Sequence, residues 1–138
     1  MVSGTTRFLD SNIFIYVLSG DPAFSAKSLK ILLEFEEGRE EGWTSTLVLS
    51  QVFSYLKRRR KFEAVDKFYE YLNSSPISVT QTTREDLEAA KALKEKLRLN
   101  WDMWDDLVIA SQMSRLGITE IHSADSDFDK ISGIKRVF

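Results

Sequence analysis

Short apolar runs alternate along the chain with longer segments in which apolar residues recur every three or four positions. The runs have strand length and predict five β-strands, at residues 6–9, 43–45, 77–79, 118–123 and 136–138, the last a short edge strand. Because helical segments separate the strands, we expect a parallel sheet with helices on both faces. The pattern therefore predicts an α/β fold with a short parallel sheet of four or five strands.

Helical segments fill the spaces between these strands. Residues 13–18 predict a helical turn, and a helix over about 21–37 is expected to begin at Asp21 and Pro22, residue types favoured at the N-cap and the first helical position. Further helices are predicted over about 46–60 and 62–72 as a hairpin, after Thr83, and over about 103–116. Thr83 with Asp86 resembles a capping box, and Gly117 is a suitable C-cap. The helix over 21–37 should pack through Phe24, Leu29, Leu32, Leu33 and Phe35.

The helical repeat also orients two polar residues. Gln51 falls on the same face as Val48 and Val52, so it is expected on the buried side of its helix. Asp106 is in step with the apolar residues of its own helix, whereas Asp105 points about 100° away. We therefore expect Asp106 to face inward, and Asp105, like Asp102, to cap the helix or face solvent.

Acidic residues follow two of the predicted strands, at the strand ends where parallel α/β sheets carry their sites. Asp10 follows the first strand and Asp125 the fourth, and six of the ten aspartates lie between Asp102 and Asp129. If Asp10, Asp106 and Asp125 meet, their charges repel unless protons or a cation neutralise them. Oxygen ligands suit Mg²⁺ or Mn²⁺, and the chain has no cysteine and one histidine to offer softer ligands.

Length and composition indicate an ordinary globular protein. The chain of 138 residues predicts one domain over 1–138, with 43% hydrophobic and 29% charged residues. No apolar run is long enough to span a bilayer, so no membrane association is expected. Residues 1–6 lack a basic region followed by an apolar stretch, so we expect no secretory signal and a cytoplasmic location.

The charged residues are unevenly distributed although the net charge is only −2. Residues 57–61, here called the basic run, are all lysine or arginine, and residues 34–41 include five glutamates. The basic run could contact nucleic acid beside an acidic pocket, or it could complement the negative end of a helix dipole. The second interpretation is the simpler one for the run taken alone.

Four segments in this order resemble the motifs of PIN-domain ribonucleases, of the kind found as toxins of VapBC-type toxin–antitoxin pairs. They are Phe8-Leu9-Asp10-Ser11-Asn12, the stretch 44–50 leading into a helix, Asp106 with Ile109 and Ala110, and Ser123-Ala124-Asp125-Ser126-Asp127-Phe128. The resemblance covers nearly the whole chain. One departure is that Gln51 stands where the family ordinarily has a glutamate.

The resemblance implies a PIN-like three-layer α/β/α fold and a divalent-metal-dependent endoribonuclease that hydrolyses phosphodiester bonds in single-stranded RNA. Asp10, Asp106 and Asp125 are the expected catalytic residues and metal ligands, with Asp10 the principal ligand. Asp127 and Gln51 should lie at the margin of the metal site, and Asn12 and Ser123 should position the phosphate or the ligands. Expected partners are RNA, an antitoxin protein and a second copy of the chain as a homodimer.

Two other interpretations are open. Gln51 is compatible with a binding module of the same fold that has weak or no catalytic activity and holds RNA or a protein. A phosphatase or phosphoacceptor using Asp10 fits less well, because the haloacid-dehalogenase pattern would place a second aspartate where Asn12 stands. His122, the only histidine, is expected to be packed or hydrogen-bonded without a catalytic role.

Overall fold

The structure is a computed structural model that describes residues 5–138. Residues 1–4, part of the segment in which no secretory signal is expected, lie outside the described residues. Five strands form one sheet in the order β3-β2-β1-β4-β5, and every neighbouring pair is parallel. The strands are β1 (Thr5–Leu9), β2 (Glu40–Ser45), β3 (Ser78–Thr80), β4 (Glu120–His122) and β5 (Lys135–Val137). The predicted parallel α/β fold is confirmed.

Six α-helices flank this sheet within the described residues, giving the expected α/β/α layers. Two 3₁₀ turns, at Trp101–Met103 and Ser126–Lys130, precede and follow the last helix–strand unit. The helices are α1 (Ser11–Ser19), α2 (Ser25–Glu36), α3 (Thr46–Arg58), α4 (Phe62–Ser74), α5 (Arg84–Leu97) and α6 (Trp104–Leu116). None of these helices is long and apolar enough to cross a membrane.

The central strand, β1, explains why both faces of the sheet are apolar. Phe8 and Leu9 are fully buried although consecutive strand residues point to opposite faces, so both faces are covered by helices. Gly42 on β2 allows α2 to approach closely, because a Cβ atom there would lie 2.8 Å from the ring of Phe35. The carboxyl ends of β1 and β4 are adjacent, with Leu9 paired to His122.

Local signals placed some helix ends correctly and one incorrectly. The capping box of Thr83 and Asp86 is present, and Gly117 ends α6 with a φ of 73°. By contrast, α2 begins at Ser25, because the Asp21 carboxylate accepts the backbone N–H groups of Ala23 and Phe24 and closes a separate turn. The predicted helix start at residues 21–22 was therefore wrong by about one turn.

The predicted apolar face of α2 was also only partly correct. Leu32 and Phe35 are buried, whereas Phe24, Leu29 and Leu33 are 38%, 47% and 46% exposed. Helical spacing identifies which positions share a face, but the neighbours that cover the face are set by the tertiary structure.

Aromatic packing holds the α3–α4 hairpin against α1. The ring of Phe68 on α4 lies 5.3 Å from the ring of Phe14 and 5.3 Å from that of Phe53, in tilted and edge-to-face arrangements. Phe14 and Phe68 are buried, and Phe53 packs partly buried against the core. This contact constrains α3, which carries Gln51 and the first two residues of the basic run.

Candidate functional site

Asp10 lies at the carboxyl end of β1 and is buried, with 5% of its surface exposed. Its backbone N–H donates to the His122 carbonyl of β4, which fixes the residue to two strands. Its Oδ1 accepts the Ser11 backbone N–H at 2.8 Å, so Asp10 is also the N-cap of α1. Its Oδ2 accepts the hydroxyl of Ser123 at 2.8 Å and the amide of Asn12 at 3.3 Å.

Asn12 and Ser123 connect Asp10 to the loop that carries Asp125. Asn12 donates to the Ser123 hydroxyl oxygen at 3.2 Å and accepts the Ala124 backbone N–H at 3.2 Å. The Ser123 hydroxyl oxygen in turn accepts the Asp125 backbone N–H at 2.9 Å. Both side chains therefore hydrogen-bond to Asp10 and to the loop that carries Asp125. The role predicted for them, positioning the phosphate or the ligands, stays a prediction.

Three half-buried carboxylates converge beside this network. Oxygen atoms of Asp106, Asp125 and Asp127 all lie within 4.8 Å of one another. Asp106 comes from the first turn of α6, and Asp125 caps the 3₁₀ turn after β4, with its Oδ1 accepting the Asp127 backbone N–H at 2.9 Å. Asp127 also accepts the Lys130 ammonium at 3.2 Å. We call these three residues the acidic triad.

Asp10 shares the electrostatic environment of the acidic triad. Burial, followed by the charges of Asp125 and Asp10, raises the pKa of Asp106 to about 8. Burial also raises the pKa of Asp10, and the charges of Asp125 and Asp105 add to this, against the opposing hydrogen bonds from Ser123 and Ser11. The carboxylates therefore destabilise one another when all are ionised, and protons or a cation would relieve the repulsion.

Gln51 reaches the site from α3 through a contact that the sequence did not indicate. Its Nε2 donates to Asp105 Oδ2 at 2.7 Å, and its Oε1 is buried without a hydrogen-bond partner. Asp105 is exposed, as expected, but its charge reaches Asp10, so it belongs to the rim of the site. The only signal for Asp105 was its position beside Asp106 at the start of a helix.

The donor set fits a hard divalent cation. Three carboxylates offer oxygen atoms at close mutual distances, and the buried Oε1 of Gln51 is a further oxygen without a partner. Thiolate ligands, which would favour a softer metal, are excluded because the chain has no cysteine.

His122 is packed and hydrogen-bonded in place. It is buried, its Nε2 lies 3.0 Å from Glu40 Oε1, and its ring meets Phe35 edge to face. Arg7 donates to Glu40 at 2.6 Å and to Glu120 at 2.8 Å, so the histidine belongs to a network that joins β1, β2 and β4.

The protein is thus an all-parallel α/β protein with a cluster of carboxylates beside the carboxyl ends of β1 and β4. A family model described as PIN domain matches residues 7–134, and the chain belongs to this family. No curated protein sequence matches the chain significantly.

Solved structures of toxin–antitoxin proteins share the fold at low sequence identity. VapC20 from Mycobacterium tuberculosis, a toxin that cleaves the sarcin-ricin loop, matches with a TM-score of 0.75 and 18% identity over 91% of this chain and 95% of that chain. VapBC2 from Rickettsia felis, bound to a promoter DNA fragment, matches with a TM-score of 0.70 and 16% identity over 96% and 98%. A toxin–antitoxin complex from Klebsiella pneumoniae matches with a TM-score of 0.69 and 18% identity over 94% and 95%.

Proposed function

We propose that the protein is a divalent-metal-dependent endoribonuclease that hydrolyses phosphodiester bonds in single-stranded RNA, and that it is the toxin of a toxin–antitoxin pair. The observation that carries the proposal is the convergence of Asp106, Asp125 and Asp127 beside the buried Asp10. Membership of the PIN domain family and the likeness in fold to a toxin that cleaves the sarcin-ricin loop support it.

The residues proposed to hold Mg²⁺ or Mn²⁺ are those of the acidic triad, with Asp10 contributing directly or through water. The bound cation would activate a water molecule and stabilise charge on the phosphate. Asp10 lies deeper than the triad, and its Oδ2 already accepts two hydrogen bonds, so the geometry favours Asp106, Asp125 and Asp127 as the direct ligands. The principal-ligand role of Asp10 stays a prediction.

Hydrogen bonds from Asn12 and Ser123 position these carboxylates, and the pKa of Asp106 sets how cation binding depends on pH. Asn12 and Ser123 donate to Asp10 Oδ2 and accept backbone N–H groups of the Asp125 loop, so they tie this loop to Asp10. With a pKa of about 8, Asp106 retains its proton at neutral pH, and cation binding would release it. Cation affinity should therefore rise with pH.

Membership of the PIN domain family is also the basis for the partner, the oligomeric state and the cellular location that we propose for this protein. A toxin of this kind would act in the cytoplasm on RNA, be held inactive by an antitoxin protein, and form a homodimer. Two of the structural neighbours come from toxin–antitoxin complexes, which supports an antitoxin partner. The described surface exposes large apolar side chains that a partner could cover, among them Phe62, Tyr69 and Trp101.

A catalytically weak or inactive RNA- or protein-binding module is the second candidate, and Gln51 is the observation that favours it. A neutral amide at this position leaves the site one negative charge poorer than the family pattern. An amide coordinates a hard cation only through its carbonyl oxygen, and in Gln51 this oxygen is the atom without a hydrogen-bond partner, since Nε2 donates to Asp105.

The test is cleavage of a mixed-sequence pool of single-stranded RNA by the purified protein, with Mn²⁺ and with EDTA, beside an Asp10→Asn control. The nuclease proposal expects cleavage only by the wild-type protein with metal. Equal cleavage in EDTA, or by Asp10→Asn, would contradict the metal site. RNA binding without cleavage at any Mn²⁺ concentration would support the binding module.

A further inference from the structure

The basic run is divided by the structure into side chains that face different surfaces. Arg58 lines a groove of about 400 Å³ together with residues of the acidic rim. Lys57 lines a neighbouring, largely apolar depression between α3 and α4, which adjoins the groove at Ser50 and Ser54. Arg60 and Lys61 line a third depression beside α4. Arg59 lies over the ring of Tyr55, with its guanidinium carbon 3.9 Å from the ring centroid. Of the five cations, Arg58 is therefore the one that lines a groove together with Gln51 and Asp105.

The groove containing Arg58, here called the α3 groove, starts at the candidate site and follows α3. Ser11, whose N–H binds Asp10, lines this groove with Asp105 and Gln51, and Arg58 lies in the last turn of α3. Gln51, Ser54 and Arg58 line one face at i, i+3 and i+7, a span of about 10 Å along the helix. The polar lining of the groove consists of Ser11, Ser50, Gln51, Ser54, Arg58 and Asp105.

Charge along the α3 groove changes sign from one end to the other. Within residues 5–138, no side chain of the basic run lies within ion-pair distance of a carboxylate. The end at Asp105 is negative and hydrogen-bonded to Gln51. A guanidinium with free donors at the far end, with serine hydroxyls between, matches the groups that bind phosphate and sugar in nucleic-acid complexes.

We propose that the α3 groove binds the backbone of the RNA strand next to the scissile bond, with Arg58 as its main phosphate contact and Ser54 as a second donor. This inference rests on the proposed ribonuclease function. Arg58 attracts a phosphate at the far end of the groove, and the cation proposed for the acidic triad would attract the scissile phosphate, so a bound strand has its flanking phosphate at Arg58 and its scissile phosphate at the triad.

A competing explanation is that Arg58 complements the dipole of α3, since it lies in the last turn of the helix. Lys57 lies in the same turn and experiences the same dipole, but it faces the apolar depression. The two positions therefore form a matched pair, because Lys57→Gln and Arg58→Gln remove the same charge from neighbouring residues of one helix.

The experiment measures KM and kcat for the mixed-sequence RNA pool with Mn²⁺ for wild type, Arg58→Gln, Lys57→Gln and Arg58→Lys. RNA affinity is measured in parallel at several KCl concentrations in the Asp10→Asn background. We expect Arg58→Gln to raise KM about tenfold with little change in kcat, as for losing one hydrogen-bonded charge contact. The slope of log affinity against log salt should become shallower by about 0.7, the value for one phosphate of a single strand. Arg58→Lys should recover part of the loss, and Lys57→Gln should change KM less than about twofold.

Equal losses in Arg58→Gln and Lys57→Gln would overturn the inference in favour of a diffuse electrostatic effect. Unchanged KM and salt slope in Arg58→Gln would also overturn the inference. If the thermal stability of this variant is lowered, the dipole explanation is favoured; if its thermal stability is unchanged, a protein occupant of the groove is favoured. If the wild-type protein does not cleave the RNA and the Asp10→Asn variant does not bind it, the ribonuclease proposal itself fails. Cleavage by wild type with no difference among the variants refutes only the α3 groove.

Discussion

Gln51 Nε2 donates a hydrogen bond to Asp105 Oδ2 at 2.7 Å and so joins the middle of α3 to the first turn of α6. The charge of Asp105 contributes to the raised pKa of the buried Asp10. Any change of charge at residue 51 therefore acts on the site through Asp105, and this contact links the neutral residue at the second family motif to the candidate metal centre.

Gln51→Glu should tighten metal binding and raise ribonuclease activity, while destabilising the metal-free protein. The new carboxylate would lie at hydrogen-bonding distance from Asp105, and the repulsion of two like charges near a protein surface is about 1 to 4 kcal/mol. Calorimetric titration with Mn²⁺ measures the affinity, and urea unfolding in EDTA measures the stability. Adding Asp105→Asn should remove the destabilisation. Equal Mn²⁺ affinities of wild type and Gln51→Glu would show that residue 51 does not act on the metal site.

Asp10→Asn should abolish metal-dependent RNA cleavage with the fold intact. We expect the cleavage rate to fall by more than about 100-fold, the upper range for losing a group that supports a metal site. Asparagine can still cap α1, and the loss of a buried charge offsets the loss of one acceptor, so the free energy of unfolding should change by less than about 1 kcal/mol. RNA cleavage assays and urea unfolding test both parts. An active variant would remove Asp10 from the site.

Asp106→Asn should reduce activity far more than Asp105→Asn. Asp106 belongs to the acidic triad, whereas Asp105 lies at the exposed rim. We expect at least about a 100-fold loss for the first and less than about a tenfold loss for the second, measured as kcat/KM with saturating Mn²⁺. The reverse ranking would show that Asp105 is the functional acid of α6.

The metal-free protein should lose stability as pH rises through the pKa of about 8 of Asp106. Because the folded-state pKa is raised, the native state holds the proton more tightly than the unfolded chain. This contribution is complete below the unfolded pKa of about 4 and is lost as pH rises toward and through 8. Urea unfolding in EDTA across this range should show the decline in wild type and a flatter profile in Asp106→Asn. Parallel profiles would contradict the raised pKa.

Arg115→Met should destabilise the fold without altering the site. Arg115 donates to both carboxylate oxygens of the buried Asp86 at 2.8 Å, and these bonds, with the Thr83 N–H, lower the pKa of Asp86 although burial opposes them. Breaking them should cost about 2 kcal/mol. The stabilisation is present above about pH 4 and is lost as pH falls through the lowered pKa, so the variant should show a weaker acid dependence.

Thermal or urea unfolding measures this loss, and Arg84→Met is the matched control. Arg84 makes an exposed i,i+4 pair with Glu88 on the same helix as Asp86, and such pairs contribute little. Equal destabilisation of the two variants would refute the structural role assigned to Arg115.

Local patterns in the sequence were sufficient for the secondary-structure order and for part of the site. The positions of Asp10 and Asp125 after strands follow from where apolar runs stop, and the inward face of Asp106 follows from the 3.6-residue repeat. The start of α2 was missed because aspartate is a common N-cap residue, whereas the Asp21 side chain accepts the N–H groups of Ala23 and Phe24 and closes a turn before the helix. Local propensity alone does not separate these two uses of one side chain.

Distances between side chains were decided by the tertiary structure. The pairing of β1 with β4 brings Asp10 to Ser123, 113 positions apart, and the packing of α3 brings Gln51 to Asp105, 54 positions apart. Arg58 lines the α3 groove, whereas Lys57 lines the neighbouring depression. This difference also depends on which helices and loops cover each face of α3. The sequence by itself determined which residues end strands or share a helical face, because these are local periodicities. Strand order and helix packing alone determined which of those residues meet, because these contacts join segments that are remote in the chain.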